Sequence, residues 1–292
     1  MQGALFFYHK DALAKEVRPN RPIGILFLTS LRDIVAEEFN GQYIKVDDTP
    51  IYMQGVVEKT MEETRPGGVL HQLVEVKGVI YDDTENDFQR IQAKRGPRNF
   101  GMSPRVSLLE KDRQNILPFA ETILPQNKIW NIPSTFRTMS KDDLMGRKKA
   151  KFEFEQQVLA KAHEAEADVI ISDSYMAIIG PLVKELGMYG RVLNIHPGPA
   201  LRKYPFCFRG KDPIGDAIKF AKQHDAPVYT GATLHMVNNG IDDGDPIAYI
   251  CNTPIYDEDD EIVLMVRNYR EAKLPLFVAG LRHYILQIYP HL

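Results

Sequence analysis

The sequence predicts an α/β fold with a largely parallel sheet flanked by helices. Three observations carry this reading. Apolar runs of strand length recur at Ile23–Thr29, Asp168–Ser172 and Arg191–His196. A long helical stretch, Ser140–Ala167, lies between the first of these and the second. Strands then keep alternating with helices toward the end of the chain, the arrangement expected of a parallel sheet with covered faces.

The elements follow in order. Ile23–Thr29 (IGILFLT) is continuously apolar and of strand length. Ser30 opens a helical pattern through Phe39. His71–Tyr81 (HQLVEVKGVIY) alternates and is β-branched, so it reads as one or two strands around Gly78. Asp82–Arg105 is polar and rich in Gly, Pro and charge, the composition of a long loop. Ser140 is read as the N-cap of the long helix, with acidic residues in the first turn. Asp168–Ser172 is a buried strand and Pro181–Leu186 a short helix. Arg191–His196 is a strand stopped by Pro197-Gly198-Pro199. Lys211–His224 is helical, Thr233–Val237 and Ile247–Ile250 are strands, and Asp257–Ile288 is mostly helix interrupted at Pro275. In such sheets ligands gather beyond the carboxyl ends of the strands.

Composition bounds the function. The 292 residues are 44% apolar and 26% charged, an ordinary globular balance, and the net charge of -3 does not call for a polyanionic partner. Two cysteines, Cys207 and Cys251, lie far apart, with no Cys-x-x-Cys and no zinc spacing, so buried apolar thiols in a reducing compartment are expected and no metal. Met1–Lys10 lacks the pattern of a signal peptide, and no stretch approaches the roughly 18 apolar residues of a membrane span. The expected location is the cytoplasm, with no membrane partner and no nucleic acid.

Two segments carry chemistry. In Asn194-Ile195-His196-Pro197, positions i and i+2 of a strand face one side, so Asn194 and His196 point together at its carboxyl end. An amide beside an imidazole can stabilise an oxyanion and handle a proton, although both could equally satisfy local backbone groups. Val237–Ile247 (VNNGIDDGDPI) packs three acids between glycines. Alone it reads as a solvated turn, and the ligand order of a calcium loop is missing.

Taken together, DVIISDSYMAII, RVLNIHPGPALRKYP and TGATLHMVNNGIDDGDPI resemble the folate-dependent formyltransferase family. That family includes glycinamide ribonucleotide and methionyl-tRNA formyltransferases. Its pattern is Asn-x-His-Pro at a strand end, then Thr/Gly-x-Thr/Ser-x-His, then Leu/Ile-Asp before Gly. AKLPLFVAGLRHYI looks like the family's closing helix. The resemblance implies a Rossmann-like formyltransferase fold, a single domain over residues 1–292 with an extended N-terminal half, and a catalytic core at about 165–292. It implies 10-formyltetrahydrofolate as cosubstrate, Asn194, His196 and Asp242 as catalytic residues, and His235 in support. The folate pocket would use Met176, Ala177, Ile178 and Ile179, with Val237, Asn238, Asn239, Gly240 and Ile241 opposite. Asp243 and Asp245 fall on variable positions. The Arg that follows Met in the ribonucleotide enzymes is here Ala177.

The acceptor is narrowed by departures from the family. Leu28-Thr29-Ser30-Leu31-Arg32 holds no Gly-rich phosphate loop. Only Cys251–Leu292 follows the last strand, too little for the tRNA-binding domain of the methionyl-tRNA enzymes. After Tyr204-Pro205 comes an enlarged Phe206–Pro213 segment, which looks more like the siderophore hydroxyornithine formyltransferases. The expectation is therefore a small amine acceptor such as N5-hydroxyornithine, its carboxylate held by Arg209 and Lys211. Solvated basic residues on a loop remain the plain alternative for those two. The alternatives for the whole chain are a phosphoribosylglycinamide formyltransferase of purine synthesis, with its phosphate cradle in Lys94–Arg105, a sugar N-formyltransferase, and a formyltetrahydrofolate hydrolase.

Overall fold

A computed structural model of the chain describes residues 6–7, 21–30, 42–46, 49–87, 124, 126–173, 175, 177–201, 206–238 and 240–288. Strands β1 (Phe6–Phe7), β2 (Ile23–Thr29), β5 (Val74–Tyr81), β6 (Ile129–Asn131), β7 (Val169–Ser172), β8 (Val192–His196), β9 (Tyr229–Met236) and β10 (Pro246–Pro254) form one eight-stranded sheet. A separate hairpin pairs β3 (Gln42–Val46) with β4 (Thr49–Met53). The order across the large sheet is β1-β10-β9-β8-β7-β2-β5-β6. From β6 to β8 all neighbours are parallel, whereas β9, β10 and β1 pair antiparallel.

The helices are α1 (Val56–Glu63), α2 (Leu144–Glu164), α3 (Pro181–Lys184), α4 (Pro213–Ala221), α5 (Glu261–Asn268) and α6 (Leu274–Ile288), with a π-helical turn, Tyr269–Lys273, between the last two. The continuous apolar runs are explained by burial on both faces. Along β2, Ile23, Ile25 and Phe27 enter one core with α1 and α6, while Leu26 and Leu28 enter a second core with α2 and α3. Strand β7 divides in the same way, with Val169 and Ile171 on the first face and Ile170 on the second.

Several boundaries differ from the sequence reading. The long helix starts at Leu144, not after Ser140, because the Asp143 carboxylate accepts the Gly146 N–H at 2.9 Å and caps it. Residues 71–73 form a turn, so one strand begins at Val74. The break near Pro275 is the π turn preceding it; Pro275 itself is the second residue of α6, directly after that turn. Cys207 and Cys251 are only half-buried, not the buried thiols expected. The segments Leu31–Phe39 and 88–105 lie outside the described residues. Among the described residues, no helix is long and apolar enough to cross a membrane.

The topology positions the site. Strand β2 continues on one side into β5 and β6, and the chain returns on its other side as β7 and β8. A crevice at the carboxyl ends of β2 and β7 results, the ligand position of open α/β sheets.

Candidate active site

Strand β8 delivers Asn194 and His196 from one face, as its period requires. Leu193 and Ile195 point into the core beneath the opposite face. In the antiparallel ladder with β9, Asn194 lies opposite His235 and His196 opposite Thr233, so all four share that face. The Pro197–Ala200 loop is fixed by Thr233, whose hydroxyl accepts the Ala200 N–H at 2.9 Å and donates to the Gly198 carbonyl at 3.0 Å. Gly198 is required by close approach: a Cβ there would sit 2.7 Å from the Phe208 carbonyl oxygen and 3.1 Å from His196 Nε2.

The turn after β9 brings Asp242 over the two strands. Asn238 organises it, donating from its side chain to the Asp243 carbonyl and accepting the Gly240 N–H, both at 2.8 Å. Gly244 packs on the end of β9, where a Cβ would meet the Met236 carbonyl oxygen at 1.5 Å. Asp242 itself adopts a left-handed backbone with φ 46, a conformation that costs free energy for a residue with a side chain and is held by its surroundings.

Around Asp242 the contacts converge. Asn194 Nδ2 donates to Asp242 Oδ1 at 3.2 Å and reaches His235 Nε2 at 3.0 Å. His196 Nδ1 lies 3.4 Å from Asp242 Oδ2, and the Gly210 N–H donates to the same oxygen at 2.8 Å. His196 Nε2 donates to the Phe208 carbonyl at 2.6 Å. That bond places the neutral ring's proton on Nε2, so Nδ1 turns a lone pair toward the carboxylate, and the two together form a seat for one arriving proton. His235 Nδ1 lies 3.0 Å from the Met236 carbonyl, which leaves Nε2 to accept from Asn194.

The electrostatics follow from burial and these partners. Burial pushes the Asp242 carboxyl up, but His235, His196 and the Gly210 N–H outweigh it and hold it at about 2. Burial lowers the His196 imidazole below its ordinary value; Asp242 and the Phe208 carbonyl oppose this, while the Lys273 charge adds to it. The site therefore combines an ionised carboxylate with a neutral imidazole near neutral pH.

These residues open on a cavity of about 570 Å³. Ala177, Ile178, Ile179, Val237, Asn238 and Gly240 line it, as do Ile241 and the catalytic candidates Asn194, His196, His235 and Asp242. Met176 and Asn239 lie outside the described residues. The apolar wall is anchored from behind. Tyr175 stacks on Phe154, with ring centroids 6.1 Å apart, and the buried Glu155 carboxylate accepts the Gly180 and Leu182 N–H groups. Apolar walls with a few fixed polar groups suit a flat heterocycle. Among the described residues, no cluster fit to hold a metal ion occurs.

The two basic residues proposed for the acceptor part company. Lys211 lines the cavity, exposed at its edge. Arg209 is not among the lining residues. Its guanidinium donates to Asp243 Oδ1 and to the Ala200 carbonyl, both at 2.7 Å, and so braces the Asp242 turn. Sequence reading also passed over Glu261, Met265, Tyr269 and Lys273, which form a further wall. Within a helical pattern those residues carry no signal of their own; only the π turn brings Tyr269 and Lys273 to the cavity.

In sequence and in fold the chain is similar to known formyl transferases. The family model described as Formyl transferase matches residues 119–278, more than half of the chain. The phosphoribosylglycinamide formyltransferase of Mycobacterium tuberculosis (strain CDC 1551 / Oshkosh) is 36% identical over 104 residues, which cover 35% of this chain and 42% of that protein. The match thus spans less than half the length of this curated relative. Among solved structures, PvdF of pyoverdin biosynthesis, an N10-formyltetrahydrofolate-dependent formyltransferase, superposes with TM-score 0.69 at 23% identity, covering 89% of this chain and 98% of PvdF. The phosphoribosylglycinamide formyltransferase from Bacillus Halodurans gives TM-score 0.51 at 20% identity, covering 90% of this chain and 95% of the other. Both structural likenesses are of fold.

Proposed function

This chain belongs to the formyl transferase family, and we propose that it transfers the formyl group of 10-formyltetrahydrofolate to the amine of a small acceptor, an amino-acid derivative of the N5-hydroxyornithine kind. One observation carries the chemistry: a single carboxylate, Asp242, touches both Asn194 and the proton seat at His196, at the wall of one cavity.

The reaction follows from these contacts. The acceptor nitrogen attacks the formyl carbon, and the carbonyl electron pair moves onto oxygen. An N–H of Asn194 meets that oxyanion, and His196, whose Nε2 proton is held by the Phe208 carbonyl, adds an N–H of its own once Nδ1 has taken up the proton. The attacking nitrogen gains positive charge and gives its proton to Asp242, directly or across the Asp242–His196 seat. The intermediate collapses as the C–N10 bond breaks, and the proton passes to N10 of the departing tetrahydrofolate. No water is consumed, which separates transfer from hydrolysis. The folate ring system would lie against Ala177–Ile179 and the Val237–Ile241 turn.

The enlarged Phe206–Pro213 segment, which lines the cavity through Gly210, Lys211, Asp212 and Pro213, supports an amino-acid acceptor. A second reading, phosphoribosylglycinamide as acceptor, is favoured by the 36% identity to the mycobacterial protein. Formation of tetrahydrofolate from 10-formyltetrahydrofolate should depend on added acceptor, with formylated acceptor appearing in equal amount. Acceptor-independent release of formate would identify a hydrolase instead.

A further inference from the structure

The mechanism leaves a buried ionised group at the cavity unused. Lys273, in the π turn, is 1% exposed and lines the cavity. Its ammonium contacts Asp173 Oδ1 at 2.8 Å and the Tyr269 hydroxyl at 2.5 Å, and it lies 4.0 Å from the centre of the Tyr269 ring. Asp173 follows directly on β7, and its N–H donates to the Leu28 carbonyl of β2 at 3.0 Å. The ion pair therefore stands at the switch point of the sheet, where this architecture gathers ligands.

A buried ion pair is a poor device for stability, because desolvating both charges offsets most of their attraction. An apolar pair would serve packing as well, so the retention of this one at a cavity wall points to a ligand. The two cations lining the cavity among the described residues are Lys211 and Lys273. Lys211 is exposed and screened by solvent; Lys273 acts where the dielectric is low and each contact is worth more. Asp173 holds the ammonium in one place, so little rotamer freedom is lost on binding. The Tyr269 oxygen accepts from Lys273, which directs the hydroxyl proton away from the ammonium.

Resting on the formyl-transfer reading above, we propose that Lys273, pre-set by Asp173 and supported by Tyr269, is the specificity-determining residue that recognises the anionic group of the acceptor, a carboxylate in an amino acid or a phosphate in a ribotide. It does not take part in the proton relay. Its contribution is to hold the acceptor so that the amine meets the formyl carbon.

Any neutral residue at 273 leaves the buried Asp173 charge without its counter-ion, so the test uses Lys273→Gln, whose amide can still donate to the carboxylate, and, should that variant not fold, the neutral pair Asp173→Asn with Lys273→Gln. Steady-state kinetics are measured with 10-formyltetrahydrofolate and three acceptors: N5-hydroxyornithine, its decarboxylated analogue N-hydroxy-1,4-diaminobutane, and glycinamide ribonucleotide. The expected result is an acceptor KM raised tenfold or more for the anionic acceptor that the wild type uses, with kcat and the folate KM within about threefold. The decarboxylated analogue should be a poor acceptor for the wild type and show no further penalty in the variant. A penalty on hydroxyornithine identifies the carboxylate as the anion; one confined to the ribotide identifies the phosphate. Equal losses with and without the anionic group, or a lower kcat with an unchanged acceptor KM, would overturn the assignment. Wild-type enzyme that turns over none of the three acceptors would instead overturn the acceptor reading on which it rests.

Discussion

Asn194 Nδ2 donates to Asp242 Oδ1 across 3.2 Å, which ties the proposed oxyanion donor to the proposed proton acceptor. The same nitrogen reaches His235 Nε2, so at rest both amide protons are engaged. A formyl oxygen must compete for one of them. When Asp242 takes a proton its charge is lost, its hold on Asn194 weakens, and the N–H is released as the oxyanion needs it. Proton transfer and oxyanion stabilisation are thereby coupled through one contact.

Asp242→Asn should therefore leave folate binding nearly intact and lower turnover by about a hundredfold or more, the scale of a lost general acid–base group. Single-turnover rates and folate affinity, measured on the same preparation, separate the two effects. A chemical step within tenfold of wild type would remove Asp242 from the relay.

Asn194→Ala and His196→Ala should each cost about 2–4 kcal/mol of transition-state stabilisation, and the double variant less than their sum. The expectation of non-additivity follows from their shared partner, Asp242. A double-variant cycle on kcat/KM gives the coupling directly; additive losses would mean that the two act independently.

Gly244→Ala should displace the Asp242 turn, since the added methyl meets the Met236 carbonyl oxygen at 1.5 Å. The effect expected is a large loss of kcat together with a lower Tm, in the range of about 1–3 kcal/mol for a local clash. A variant of normal activity and stability would show that the turn can relocate without consequence.

The pH dependence carries a definite sign. His196 is held below its ordinary value of 6.5, and Asp242 at about 2 against 3.8. Both groups bind fewer protons in the folded state than in the unfolded one, so each adds stability above its unfolded pKa. That stability is lost as pH falls: through the window below 6.5 for His196, and between 3.8 and about 2 for Asp242. The acid limb of kcat/KM should accordingly lie below 6.5. Asp242→Asn removes an upward pull on His196, so an NMR titration of that variant should find the imidazole proton leaving at still lower pH. A shift to higher pH would reverse the assigned electrostatics.

How much of this was legible in the sequence depends on the range of the interactions. Asn194 and His196 could be paired on one face because a strand's period of two is local, and Ile23–Thr29 could be bounded because a strand buried on both faces is apolar throughout. Ser140 and Asp143 are both capping residue types, and sequence alone does not say which one caps the helix; the Asp143–Gly146 contact decides it. Arg209 and Lys211 looked equivalent two positions apart, yet an ion pair to Asp243 turns one of them into a brace. Lys273 was invisible because its role depends on a π turn and on Asp173, a hundred positions earlier in the chain. The left-handed backbone of Asp242 likewise has no signature beyond the glycines around it.

The most direct test of the central claim is an acceptor panel with 10-formyltetrahydrofolate, comparing kcat/KM for N5-hydroxyornithine, ornithine, glycinamide ribonucleotide, an amino sugar nucleotide and water. The account predicts stoichiometric formyl transfer with N5-hydroxyornithine the best substrate of the set. Turnover of glycinamide ribonucleotide at a higher kcat/KM than every amino-acid acceptor would contradict the acceptor assignment. Formate release without any acceptor would contradict transfer itself.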